Sequence, residues 1–166
     1  MTGNVRFSQD DVNHLYALSR GFMISRIFLT AVELGVFREL GQLELTAAQV
    51  AGRLGADERA VAILLDALAG MELLEKKDGA YANSSKFAAL LLPDHPRYMG
   101  GMFMHAAHLW DRWACLTEIV RSGGPDEYEW TDGMRRGLAE AMKAQSRGTS
   151  DRLAALVDCT GATAML

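Results

Sequence analysis

Four histidines and two cysteines are the residues in this chain with chemistry beyond simple charge. The histidines are His14, His95, His105 and His108. His105 and His108 are three residues apart, so on a helix both imidazoles share one face and can share a divalent cation. Asp111, three residues further on, would complete a three-ligand set. The neighbours argue against it. Met104, Leu109 and Trp110 make this stretch a packed or ligand-lining surface, and no metal site is expected. Cys115 and Cys159 are too few for a disulfide framework or a metal centre and read as small buried apolar groups. No serine or cysteine lies in a nucleophile motif. No glycine-rich nucleotide loop follows a strand: Gly100-Gly101 falls inside an apolar helical stretch and Gly123-Gly124 at a helix end. No catalytic residue is assigned.

The element that must carry this stretch is a long helix from Tyr98 to Ile119, opened near His95 or Pro96 and ended by Gly123-Gly124-Pro125. It holds Met99, Met102, Phe103, Met104, Leu109, Trp110, Trp113 and Leu116. Two readings stay open. Methionine and tryptophan fill an irregular core. The same residues also line a pocket for a flat aromatic molecule.

Before it comes a compact pattern from Leu45 to Tyr81. Thr46 caps a helix with Gln49 three residues later, each side chain satisfying an amide of the other residue. The helix Ala47–Arg53 points Val50 and Leu54 inward and breaks at Gly55. Asp57 caps a second helix, Glu58 to Gly70, with Ala60, Ile63, Leu64, Ala67, Leu68 and Met71 expected on its inner face. Leu73 to Lys77 and Ala80 to Asn83 flank Asp78-Gly79, a tight-turn pair that tolerates positive φ. Helix, turn, helix and hairpin together read as a winged helix. A DNA-reading helix needs side chains that reach base edges. Asp57 to Gly70 has one arginine, three acids and no Asn, Gln, Ser or Lys, so it reads as a helix that packs on protein.

The N-terminal helix is predicted from Asp11, capped by Asp10 or Asp11. Leu15, Leu18, Phe22, Ile24, Phe28, Ala31 and Leu34 recur at helical spacing. Met23 and Ile27 widen the face. Gly21 is expected to break the segment in two, Gly35 to end it, and Val36–Leu40 to form a short turn stopped by Gly41. A face this broad needs cover, either from other helices of the chain or from a second subunit. Beyond the hairpin, Ser84 or Ser85 is expected to cap a short helix through Leu90. A polar turn with Tyr128 and Trp130 follows the long helix. Thr131 or Asp132 then caps Gly133 to Ser146, and a last helix runs from Thr149 to Val157.

The chain has 166 residues, 49% of them apolar, and a net charge of −4. That mild charge gives no general pull toward nucleic acid or acidic lipid. The start shows no signal peptide. Charges within a turn or two of each apolar run argue against a membrane span, and a cytoplasmic location is the expectation.

Several stretches in order resemble the N-terminal region of S-adenosylmethionine-dependent O-methyltransferases of the caffeate/acetylserotonin type and their bacterial natural-product relatives. They are Ala31–Phe37, Leu45–Ala51, Arg59–Leu68, Gly79–Ser84 and the tryptophan helix His108–Gly123. The resemblance implies a mainly α fold: a winged-helix domain with a small β-hairpin wing, and additional long helices that form an intertwined dimer. It implies residues 1–92 as N-terminal helices plus the dimerisation unit and 93–158 as a helical substrate-lining and connector region. Residues 159–166 would start a cofactor-binding Rossmann-like domain. Phe22, Met23, Ile27 and Phe28 would lie at the dimer interface. Met102, Met104, His105, Leu109 and Trp113 would face a small aromatic or polyketide acceptor. S-adenosylmethionine is implied for a full-length parent, with no cofactor held by this piece, which is expected to be inactive alone. Expected partners are a second copy and the small aromatic substrate, with no nucleic acid and no membrane. The alternative is a winged-helix DNA-binding or ligand-responsive transcriptional regulator.

Overall fold

A computed structural model of the chain describes residues 7–124 and 131–156. The chain divides into two compact units, Met1–Ser84 and Ser85–Leu166. The fold is mainly helical with one small antiparallel sheet.

The first unit opens with α1, Gln9–Leu34, 26 residues long. Its cap is Ser8, not Asp10 or Asp11. The Ser8 hydroxyl accepts from the Asp11 N–H at 3.2 Å, and the Asp11 carboxylate accepts from the Ser8 N–H at 2.7 Å. Asp11 is thus the third-residue partner of a capping box. The expected break at Gly21 does not occur. One glycine costs a helix about 1 kcal/mol, which a run this long absorbs. Gly35 takes a left-handed φ of 76° and ends α1. The short α2, Val36–Leu40, follows and stops at Gly41.

Residues Leu45–Thr46 form β1, a strand the sequence pattern did not reveal because it is only two residues long. The Thr46–Gln49 capping box then starts α3, Ala47–Leu54, and Gly55 closes it with φ 62°. Asp57 accepts from the Ala60 N–H at 2.8 Å and caps α4, Glu58–Gly70. Strands β2, Leu74–Lys77, and β3, Ala80–Asn83, flank Asp78 and Gly79. Both turn residues have positive φ, 49° and 81°, as a two-residue hairpin of this hand requires. The sheet order is β1-β3-β2, with Leu45 opposite Tyr81 and Lys76 opposite Tyr81 on its other side.

The core of this unit is Leu40, Leu65, Leu68, Val36 and Val50, all fully buried, with Phe37, Val61 and Leu74 around them. Each such side chain contributes about 1.5–3 kcal/mol on burial. The buried face of α4 is Val61, Leu65 and Leu68. The expected inner residues Ala60 and Ile63 are exposed. The helix is turned by about one residue from the expected phase, because its apolar residues occupy more than one stripe and either phase satisfies the pattern. The N-terminal part of α1 contributes almost nothing to the core; Leu29 and Ala31, near its end, are its buried residues.

In the second unit, α5 spans Ala88–Leu91. Phe87 precedes it with no side-chain cap, so neither serine caps it. The Ser84 N–H donates instead to Leu73 O at 3.1 Å, which holds Ser84 to the end of the hairpin. The expected long helix is three: α6, Gly100–His108; α7, Trp110–Ala114; and α8, Leu116–Ser122. At Leu109 and Cys115 the backbone ψ is −9° and 3°. The Leu109 N–H is shared between His105 O and Ala106 O, and the Glu118 N–H bonds back three residues to Cys115 O. These tightened turns re-aim the chain without a proline or glycine. Cys115 is exposed at the second junction, not buried. Cys159, Tyr128, Trp130 and the proposed 159–166 segment lie outside the described residues.

Thr131 Oγ1 accepts from the Met134 N–H at 3.2 Å at the start of α9, Asp132–Leu156. The two helices expected here are one continuous helix. α9 packs along α6. Gly101 makes that approach possible, since a Cβ there would collide with Glu140. Gly137 lies against His108, whose Nδ1 is 3.3 Å from where a Gly137 Cβ would stand.

Candidate functional site

The bends at Leu109 and Cys115 shape the second unit's surface. Leu109, Arg112, Leu116 and Ile119 fall at intervals of three, four and three, so they form one stripe along α7 and α8. With Trp113 they line an open cleft of about 300 Å³. Arg112 is half-buried, whereas Trp113 is 68% exposed and presents its ring freely. Four apolar walls and one guanidinium are suited to a flat molecule with a polar edge.

Of the residues expected to face an acceptor, Leu109 and Trp113 meet at this cleft. Met102, Met104 and His105 are half-buried on α6 and are not among its lining residues. Nδ1 of His105 and of His108 is buried with no hydrogen-bond partner among the described residues. Gly137 of α9 lies against both histidines. Among the described residues no three His, Cys, Asp or Glu side chains converge as metal ligands. Arg112 and Ile119 were not singled out from sequence, and Leu116 was read only as part of the long helix. Their regular spacing from Leu109 was the available signal, but only the bent path makes it concave.

The second surface is α1. Phe22 and Met23 are about half exposed, at 54% and 51%, and Leu15, Leu18 and Ile24 are more so. Ile27 and Phe28 are half-buried, and the Phe28 ring meets Phe37 at 6.1 Å between centroids. Phe22 and Met23 therefore stand on the open part of the helix, and Phe28 on the part that joins the core. α1 is long and apolar enough to cross a membrane by length and composition, with mean hydropathy 1.3 over 18 residues. The charge argument against a span therefore does not hold for this helix, because that window has at most two charged residues.

Between α4 and the hairpin a polar cluster closes the first unit. Lys76 Nζ reaches Asp66 Oδ1 at 2.5 Å, and Tyr81 Oη donates to the same oxygen at 2.6 Å. The Lys76 ammonium and the Tyr81 hydroxyl hold the Asp66 carboxyl below its ordinary range, and the bond to Asp66 raises Lys76 in return. The nearest basic side chain of the hairpin is thus tied to an acid on α4. The exposed residues Glu58, Arg59, Ala60, Ile63 and Asp66 give that helix no cationic face.

A mainly helical unit with a short antiparallel sheet, followed by a second helical unit, places the chain in the class of N-terminal methyltransferase modules. Residues 16–94 match the O-methyltransferase dimerisation domain, and the chain belongs to that family. It is 33% identical over 153 residues to 3-hydroxy-5-methyl-1-naphthoate 3-O-methyltransferase of Streptomyces sahachiroi, covering 87% of this chain and 44% of that protein. It is 32% identical over 115 residues to acetylserotonin O-methyltransferase of Rattus norvegicus, covering 68% and 27%. Among solved structures, an O-methyltransferase family protein from Burkholderia thailandensis superposes with a TM-score of 0.73 at 31% identity, covering 89% of this chain and 45% of that one. The chain thus spans less than half the length of these relatives. The alternative of a DNA-binding or ligand-responsive regulator finds no support among them.

Proposed function

We propose that this chain is the dimerisation and substrate-lining module of an S-adenosylmethionine-dependent O-methyltransferase acting on an aromatic or polyketide hydroxyl. The first unit is a winged helix used as a scaffold, with β2 and β3 as its wing. The carrying observation is α1. The family match begins at residue 16, inside a helix whose residues from Gln9 to Ser25 are exposed but for Val12. A helix that buries so little in its own chain is marginal in water and is stabilised by packing against a partner. A second copy of α1, laid against Phe22, Met23 and Ile27, supplies that partner.

The second unit contributes a wall. Trp113 stacks on the acceptor ring, and Leu109, Leu116 and Ile119 keep water from its edge. The relative from Streptomyces sahachiroi is named for a hydroxynaphthoate, a flat fused arene of a size this cleft accommodates. Its homologues are S-adenosylmethionine-dependent, and the same cofactor serves the proposed reaction. Among the described residues the strands are antiparallel and none runs into a glycine-rich turn, so none of these residues is assigned to the cofactor and no methyl-transfer step is derived from them. Their part is to bind, orient and exclude water. A cytoplasmic location accords with this reading.

Light scattering on the purified chain tests it. A dimer is expected at tens of micromolar, and a clean monomer there would refute the proposed assembly.

A further inference from the structure

We infer that the cleft on α7 and α8 selects an aromatic acid, with Arg112 as the residue that recognises the carboxylate. This rests on the reading of the cleft as an acceptor wall. Among the described residues, Arg112 is the one charged residue that lines it; Leu109, Trp113, Leu116 and Ile119 are apolar. It is also drawn further from water than Trp113 beside it. A cation among apolar walls attracts an anion more strongly than one in open solvent, because the local dielectric is lower. The guanidinium fork matches a carboxylate with two parallel N–H bonds. Arg112 already makes a contact within the chain. Five N–H donors leave it capacity for a second partner.

The two acids of α7 and α8, Asp111 and Glu118, are not among the cleft's described lining residues. Glu118, on α8, is engaged by Arg121 at 2.7 Å. An arene with a carboxylate on its edge therefore places its ring against Trp113 and its charge against Arg112. A neutral arene of equal size gains the contact with Trp113 but offers the guanidinium no carboxylate.

Calorimetric titration of the purified chain with 2-naphthoate and with 2-naphthol, neutral at pH 7, reads this directly. The acid should bind about tenfold more tightly, the value of one charge-assisted contact. Arg112→Gln should remove that preference, with circular dichroism matching wild type to show that the variant is folded. Arg121→Gln, outside the cleft, should retain the preference. Trp113→Leu should weaken both ligands. Equal binding of acid and alcohol, or a preference that survives Arg112→Gln, overturns the inference and leaves the aromatic cleft standing. Binding of neither ligand overturns the cleft reading and the inference together.

Discussion

At Asp66 one carboxylate oxygen takes hydrogen bonds from two side chains of the hairpin, Lys76 and Tyr81. The charged form is favoured in the fold, so its affinity for protons is lowered. The sign follows from linkage. A carboxyl with a lowered folded value stabilises the fold above its ordinary value of 3.8, and that stabilisation is lost as pH falls through the folded value. Lys76 is shifted the opposite way, so its share is present below 10.5 and lost as pH rises past its raised value. The Tyr81 hydroxyl is raised too, first by burial and then by its bond to Asp66, and acts in the same direction as Lys76. Asp66→Asn should therefore lower the melting temperature at neutral pH and shrink the difference from wild type below pH 4. A melting-temperature series from pH 3 to pH 8 on both proteins checks it. Asn83 makes a different tie. Its Nδ2 donates to Phe37 O at 2.8 Å and to Gly41 O at 2.9 Å, joining β3 to the end of α2. Asn83→Ala should cost about 1–2 kcal/mol, seen as a lower urea midpoint with an unchanged slope.

Among the elements, the α6–α9 contact depends on what is missing from Gly101. A methyl there would occupy the space of the Glu140 Cβ. Gly101→Ala should destabilise the second unit by about 1–3 kcal/mol through overpacking. Gly52, inside α3, has nothing within 4 Å of an added Cβ. Gly52→Ala should stabilise by about 0.5–1 kcal/mol through helix propensity. Opposite signs from one chemical change, measured by denaturant unfolding, separate packing from propensity. The contrast also marks what was legible in the sequence. The elements with local chemical signatures were readable: the Thr46–Gln49 and Asp57 caps, the Asp78–Gly79 turn and the Gly35 stop. Long-range decisions were not. The two-residue β1 exists only because Tyr81 and Ala80 lie opposite it. The phase of α4 was ambiguous because its apolar residues cover two stripes. The bends at Leu109 and Cys115 carry no proline or glycine, so the concavity that gathers Arg112, Leu116 and Ile119 left no local signal.

At the scale of the whole molecule, the first half of α1 sets the demand that assembly must meet. Leu15, Leu18, Phe22, Met23 and Ile24 are each at least half exposed, and burying any one of them is worth about 1.5–3 kcal/mol. Lipid or protein can supply that burial. The charged residues of this stretch favour protein. Arg20 lies over the Tyr16 ring at 4.9 Å, and Arg26 pairs with Glu33 at 2.7 Å. Hydrocarbon penalises both arginines at mid-span, whereas a protein interface accepts such groups at its rim. Phe22→Asp combined with Met23→Asp should weaken self-association by about a hundredfold, through burial of two carboxylates that have no partner. The first unit itself should stay folded, since neither residue belongs to its core. Sedimentation velocity at tens of micromolar would show a dimer for the wild-type chain and a monomer for the double variant, with matching circular dichroism. Wild-type chain mixed with phosphatidylcholine vesicles should stay in the supernatant. Recovery with the vesicle pellet would mean that lipid, not a second copy, covers the helix.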